Sequence, residues 1–285
     1  MDKEDYFLGR GFSANTRLNL QYFLWKDQGY SLHPSIPTDV ENLRVAEIGV
    51  GTGIWLVDLA RCLPKSARID GFDINLTQCS PKEWLPANVE VHQLDCLKPF
   101  PENLLGQYDV VRIQRFHVAV HNNDPRPIIR NFISLLKPGG WIQWAEMDYS
   151  RWEVIRTKEG KDVEDSWTPL LEMVGTLGGT KPNWALDDWP IRLPELFEEN
   201  GLINTAKESR IFPPELLLFQ MDTELMASEE ASYKAMDPVG NGSGDRCRFL
   251  ISAAFRDRHR LAHNIGRLTV VGQRPLATKT ESKEV

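Results

Sequence analysis

The chain has 285 residues, 41% of them hydrophobic, enough to bury one large core or a core carrying an elaboration. A formal net charge of −7 argues against a nucleic-acid partner, no run approaches the roughly 18 apolar residues that span a bilayer, and Met1-Asp2-Lys3-Glu4-Asp5 lacks a basic-then-apolar leader, so a cytoplasmic protein without a membrane partner is expected. The cysteines Cys62, Cys79, Cys96 and Cys247 show no CxxC spacing, which disfavours a zinc knot or disulfide framework and predicts free thiols.

Thr16 to Trp25 has helical spacing through Leu18, Leu20, Tyr22, Phe23 and Leu24, and residues 1–40 are expected to lie as a helical lid on the rest. From there the chain alternates β-rich runs with helical periodicity, the mark of a parallel sheet with helices on its faces. The first strand is Arg44 to Ile48, followed by a glycine turn and a helix from Ile54 to Leu63 that stops at Pro64. Arg68 to Asp73 and Val89 to Asp95 are the next strands, with a short helix between them capped by Ser80 and carrying Pro81 at its first position. Tyr108 to Ile113 is the fourth strand. Asn122-Asn123-Asp124-Pro125 caps a helix through Ile128, Ile129, Phe132, Ile133 and Leu136, and Lys137-Pro138-Gly139-Gly140 turns the chain into a fifth strand, Trp141 to Glu146.

The stretch 150–193 breaks the alternation and is expected to form an inserted, partly helical cap. A helix from Leu193 to Asn200 stopped by Gly201, a sixth strand from Ile203 to Phe212, a long helix from Cys247 to Ile265 and a closing strand from Arg267 to Gln273 complete the core over 194–285. Gly240 to Gly244 reads as a flexible loop and Lys279 to Val285 as a frayed tail. The expected fold is therefore α/β: a Rossmann-like, seven-stranded, mostly parallel sheet with helices on both faces, its cofactor-binding core at 41–149.

In such sheets a ligand sits beyond the carboxyl ends of the strands. Glycines at alternate positions in Gly49-Val50-Gly51-Thr52-Gly53 let the backbone bend and approach that ligand. Asp73, ending the second strand, suits a ribose diol, and Asp95, ending the third, suits an adenine amino group; each alone reads equally well as a turn or cap. A dinucleotide loop of the form GxGxxG is the rival reading, but Ile54 stands where its last glycine falls.

The acid-then-glycine series Glu47, Gly49, Gly51 and Gly53, with Lys137-Pro138-Gly139-Gly140, resembles the class I S-adenosylmethionine-dependent methyltransferases over residues 40–150. Asn19-Leu20-Gln21-Tyr22, Asp70-Gly71-Phe72-Asp73-Ile74, Lys82-Glu83-Trp84-Leu85-Pro86 and Asn123-Asp124-Pro125-Arg126-Pro127 are similar to fungal small-molecule methyltransferases of secondary metabolism. The resemblance implies S-adenosylmethionine as cofactor, its methionine end at Glu47, Gly49 and Gly51, its ribose on Asp73 with Ile74 and Asn75 nearby, and its adenine at Asp95 and Cys96. It sets Gln114 and Arg115 on the sulfonium side and makes Tyr22 and Trp25 lid residues, which plain core packing explains equally well.

His117, and after it His121, are the candidate bases, in the loop that follows the fourth strand; a structural role is the alternative for either. Their spacing also suits two metal ligands on one turn, but no third ligand accompanies them and no metal is expected. Six of the nine tryptophans fall between Trp141 and Trp189, so Trp144, Trp152 and Trp184, with Glu146, are candidate contacts to a flat, apolar small-molecule acceptor, or a core of the cap itself. Glu146 and Asp148 also suit turn caps. The acceptor atom, O, N or S, and the oligomeric state stay open. So do two other uses of the fold: a non-methylating rearrangement, and a non-enzymatic regulator of secondary metabolism.

Overall fold

A computed structural model of the chain describes residues 6–277; Met1 to Asp5 and the expected tail lie outside the described residues. The strands β1 (Arg44–Ile48), β2 (Arg68–Asp73), β3 (Val89–Gln93), β4 (Tyr108–Gln114), β5 (Leu136–Arg156), β6 (Ile203–Arg210) and β7 (Leu261–Gln273) form one sheet in the order β3-β2-β1-β4-β5-β7-β6. All neighbours are parallel up to β5, and β7 runs antiparallel to both β5 and β6. The order reverses between β1 and β4, so their carboxyl ends open a crevice.

Alternation along the strands divides the core into two layers. Ala46, Val111 and Phe72 face α3 (Arg126–Leu135) and α5 (Leu193–Glu199), while Val45, Val110 and Ile69 face α2 (Ile54–Cys62) and the segment holding Leu32 and Ile36. α1 (Phe12–Trp25) lies above, against α2 and α6 (Leu217–Ala231).

Several expectations are corrected. β5 runs to Arg156, past the boundary at 149, because β7 pairs with it from Trp141↔Gln273 to Arg156↔Leu261. Its register shifts between Asp148 and Glu153, opposite Gly266, where a Cβ would come within 2.9 Å of the Arg151 Cβ. The expected helix over Cys247 to Ile265 is α7, Ser243–Asp257; the Arg260 N–H closes a turn on the Asp257 carbonyl at 2.8 Å, and Leu261 to Ile265 are drawn into β7 by pairing with β5. Gly240 to Gly244 is not simply a loop, since Ser243 and Gly244 start α7 and are buried. The short helix after Pro81 is one 3-10 turn, Lys82–Trp84, without a side-chain cap. At the start of α3 Asp124, the residue before Pro125, accepts the Arg126 N–H at 3.1 Å, while Asn122 and Asn123 take left-handed backbones with φ of 57° and 54°.

The cap is not one insertion. α4 (Trp167–Gly175) packs its Trp167, Leu170 and Val174 against Met221 and Leu225 of α6 and Cys247 and Ala254 of α7. Residues 213–257, expected to complete the core, thus join 157–192 in a second hydrophobic cluster above the ends of β5 and β7.

Candidate cofactor cleft and acceptor cavity

The glycine turn lies at the mouth of the crevice. Gly49, Gly51 and Gly53 have φ of +75°, +57° and +75°, a left-handed series that side chains disfavour. At Gly49 a Cβ would also press within 3.1 Å of the Phe116 ring, so glycine keeps the loop low against β4. The Gly49 N–H holds the Phe72 carbonyl at 2.9 Å, and Asp73 accepts the Gly51 and Asn75 N–H groups at 3.0 Å each. Burial raises the Asp73 carboxyl above its usual range although these amides favour its charge.

Glu47 is 2% exposed and pairs with Arg112, 6% exposed, from the neighbouring strand. The Arg112 guanidinium lies 4.5 Å above the Trp55 ring. Glu47 Oε2 is buried without a hydrogen-bond partner among the described residues. Burial pushes the Glu47 carboxyl up to about 7 against the pull of Arg112, and the same burial lowers the Arg112 guanidinium. Desolvation therefore outweighs the attraction within the pair.

These groups line an open cleft that also includes Gly49, Gly51, Tyr22, Asp73, Ile74, Asp95, Cys96, Gln114 and Arg115. Asp95 accepts the Leu97 N–H at 3.1 Å, and the Cys96 thiol is raised by burial. Tyr22 donates its hydroxyl to Asp58. Asn75 is not in the lining and touches the site through its N–H on Asp73. Trp25 is corrected: it is buried with Ala145, Met147 and Phe212, away from the cleft, because the inner face of α1 turns it onto the sheet.

Arg115 and Val118 are shared with a second, smaller cavity. Glu146, His117 and Trp184 line it, with Tyr149 and Glu224. Arg115, at φ +52°, sets its Nη2 3.4 Å from Glu224 Oε1; burial opposes its charge, but Glu224, then Tyr149 and Glu146, outweigh this and hold the guanidinium ionised. Glu146 is raised by burial and accepts from the Phe116 N–H at 2.8 Å, the Met147 N–H at 3.1 Å and the Trp144 indole at 3.5 Å. The His117 ring stands 5.3 Å from Trp184 and 5.9 Å from Tyr149.

Three further candidates fall elsewhere. His121 is exposed and lines neither cavity, since the chain turns outward at Asn122 and Asn123. Trp144 is fully buried against Phe132 and Trp189 in the sheet core. Trp152 stacks on His263 at 4.5 Å and belongs to the cap core.

Sequence reasoning missed Tyr6, Arg10, Gln21, Arg112, Tyr149 and Glu224. Arg112 left a signal: a cation inside the apolar run Val110-Val111-Arg112-Ile113 of a central strand needs a buried acid beside it. Glu224 left none, because α6 is packed on both sides and has no single apolar stripe.

Residues 45–140 match the family profile described as a methyltransferase domain. Methyltransferase grgD of a Penicillium species is 32% identical over 157 residues, 52% of this chain and 54% of that protein. N-methyltransferase tcpN of Claviceps purpurea is 34% identical over 138 residues, 47% of this chain and 49% of that one. The chain thus spans about half the length of the curated relatives it matches. In fold it superposes on phosphoethanolamine N-methyltransferase 2 of Haemonchus contortus, solved with S-adenosylhomocysteine, with a TM-score of 0.52 at 14% identity over 96% of this chain and 61% of that one. Sheet order and cleft define the Rossmann-like class of methyltransferase folds. Residues 45–140 thus match a methyltransferase domain, and the chain is similar to fungal methyltransferases.

Proposed function

We propose that the chain binds S-adenosylmethionine in the larger cleft and methylates O, N or S of a small, hydrophobic natural product of fungal secondary metabolism held in the second cavity. The observation that carries this is the join between the two: a glycine-cradled cleft with an unsatisfied buried carboxylate oxygen, Glu47 Oε2, shares the wall of Arg115 and Val118 with an aromatic cavity. That oxygen and the space a Cβ would fill at Gly49 suit a cofactor with a cationic end and a close backbone contact.

Bound there, S-adenosylmethionine supplies a methyl group activated by positive sulfur. The protein's work is then to orient the acceptor and exclude water. Glu47 and Gly49 hold the amino-acid end, Asp73 the ribose and Asp95 the adenine. Trp184 and Tyr149 offer flat faces to the acceptor, and His117 is the group placed to take its proton. Among the described residues no helix is long and apolar enough to cross a membrane.

Calorimetric titration with S-adenosylmethionine and S-adenosylhomocysteine tests the first half; binding of a nicotinamide dinucleotide in their place overturns it. Mass spectrometry after incubation with aromatic phenols, amines and thiols tests the second. The expected product is heavier by one methylene, whereas an isomerised product with the cofactor unconsumed overturns methyl transfer.

A further inference from the structure

The second cavity holds a histidine whose two nitrogens have unequal surroundings. His117 Nε2 lies 3.0 Å from the Trp184 carbonyl oxygen. A carbonyl only accepts, so Nε2 carries the proton and Nδ1 the lone pair. Asp187 Oδ2 lies 3.7 Å from the same Nε2. Among the described residues Nδ1 is buried without a partner, on a residue 6% exposed, and the rings of Trp184, Trp189 and Tyr149 at 5.3, 5.1 and 5.9 Å hem the imidazole in. A buried acceptor left unmatched costs about 1–3 kcal/mol, which the fold tolerates where a ligand completes it.

We propose that Asp187 and the Trp184 carbonyl, both from the cap, are positioning groups that fix the His117 tautomer and leave Nδ1 as the base for the acceptor's proton. This rests on the methyl-transfer reading. The proton passes to Nδ1, whose lone pair forms the new N–H bond, while the electron pair of the broken bond stays on the acceptor. The imidazolium keeps its Nε2–H on the Trp184 carbonyl, and the Asp187 carboxylate offsets its charge.

The other charged or titratable groups around His117 are engaged or neutral. Glu146 of β5 already accepts three N–H donors, and Arg115 from the same loop as His117 is paired with Glu224 of α6. Burial raises the Tyr149 hydroxyl well above its usual range, so it stays protonated. The base is therefore complete only when the cap's 3-10 turn, Trp184–Leu186, is folded over it.

Long-range proton–nitrogen spectra of protein labelled with 15N-histidine test this without turnover, His117→Gln identifying the signals. The Nε2–H form is expected for His117, and in Asp187→Asn the ring is expected to protonate at lower pH than in the parent. The acid limb of the kcat profile should move the same way and kcat fall about tenfold, with KM for the cofactor unchanged and Asp187→Glu restoring part of the loss. An Nδ1–H form in the parent, or an Asp187→Asn protein whose His117 titrates as the parent does, overturns the proposal. Because the spectra need no reaction, that failure is distinguishable from failure of the methyl-transfer reading, which the binding and product assays report.

Discussion

Glu47 is where the cost of building the site is concentrated. Its burial raises the carboxyl to about 7, above the range of an unfolded chain, so ionising it disfavours the native state. That cost is absent below the unfolded value, grows as pH rises toward about 7 and is constant above it. A cation arriving beside the unpartnered Oε2 reverses the balance by favouring the carboxylate. Cofactor affinity is therefore expected to rise with pH up to about 7 and to level off above it, with release of a proton on binding below that pH. Calorimetry in two buffers of different ionisation heat measures that proton, and Glu47→Gln should remove the dependence; proton uptake by the parent would contradict the account. Arg112 belongs to the same argument, since its guanidinium is what makes a buried acid tolerable there.

Two elements hold the cleft in shape. β2 passes directly beneath the glycine turn, and Gly71 is its point of closest approach: a Cβ there would fall 2.6 Å from Leu56 Cδ1 and 2.7 Å from Val50 Cγ2. Gly71→Ala is expected to cost about 1–3 kcal/mol, read as a lower urea midpoint, because the Leu56 and Val50 side chains must both give way in a packed layer. An unchanged midpoint would show that the layer is looser than these distances imply. Above the cleft, the segment before α1 is tied to α6 by Glu230, which accepts from the Gly9 N–H at 3.0 Å and from Arg17 Nη2 and Nε at 2.9 and 3.2 Å. Tyr6 in that segment lines both cavities and Arg10 the larger one. Glu230→Gln should speed cofactor dissociation several-fold with little change in the methylation step, as stopped-flow tryptophan fluorescence against single-turnover rates reports; equal dissociation rates would place the roof's hold elsewhere.

At the scale of the whole molecule, the sheet carries the larger cleft and the paired clusters above it carry the second cavity. β5 and β7 join the two by continuing past the bulge at Asp148. Most of the first part was legible in the sequence. Strand alternation, the glycine series and acids at strand ends are local patterns, and they led to Glu47, Gly49, Gly51, Asp73 and Asp95, which line one cleft. The cavity above it was legible only in fragments. His117, Glu146 and Trp184 do meet there, whereas His121, Trp144 and Trp152 share their residue types and spacings but face solvent or the interior. The sequence by itself determined the fold class and the residues that line the larger cleft, because periodicity and turn chemistry act over a few residues. Tertiary structure alone decided that α6 and α7 join the cap, that Arg112 answers Glu47 and that Asp187 stands behind His117. The two side-chain pairs bring together residues 65 and 70 positions apart, and their energy depends on burial, which no local pattern records.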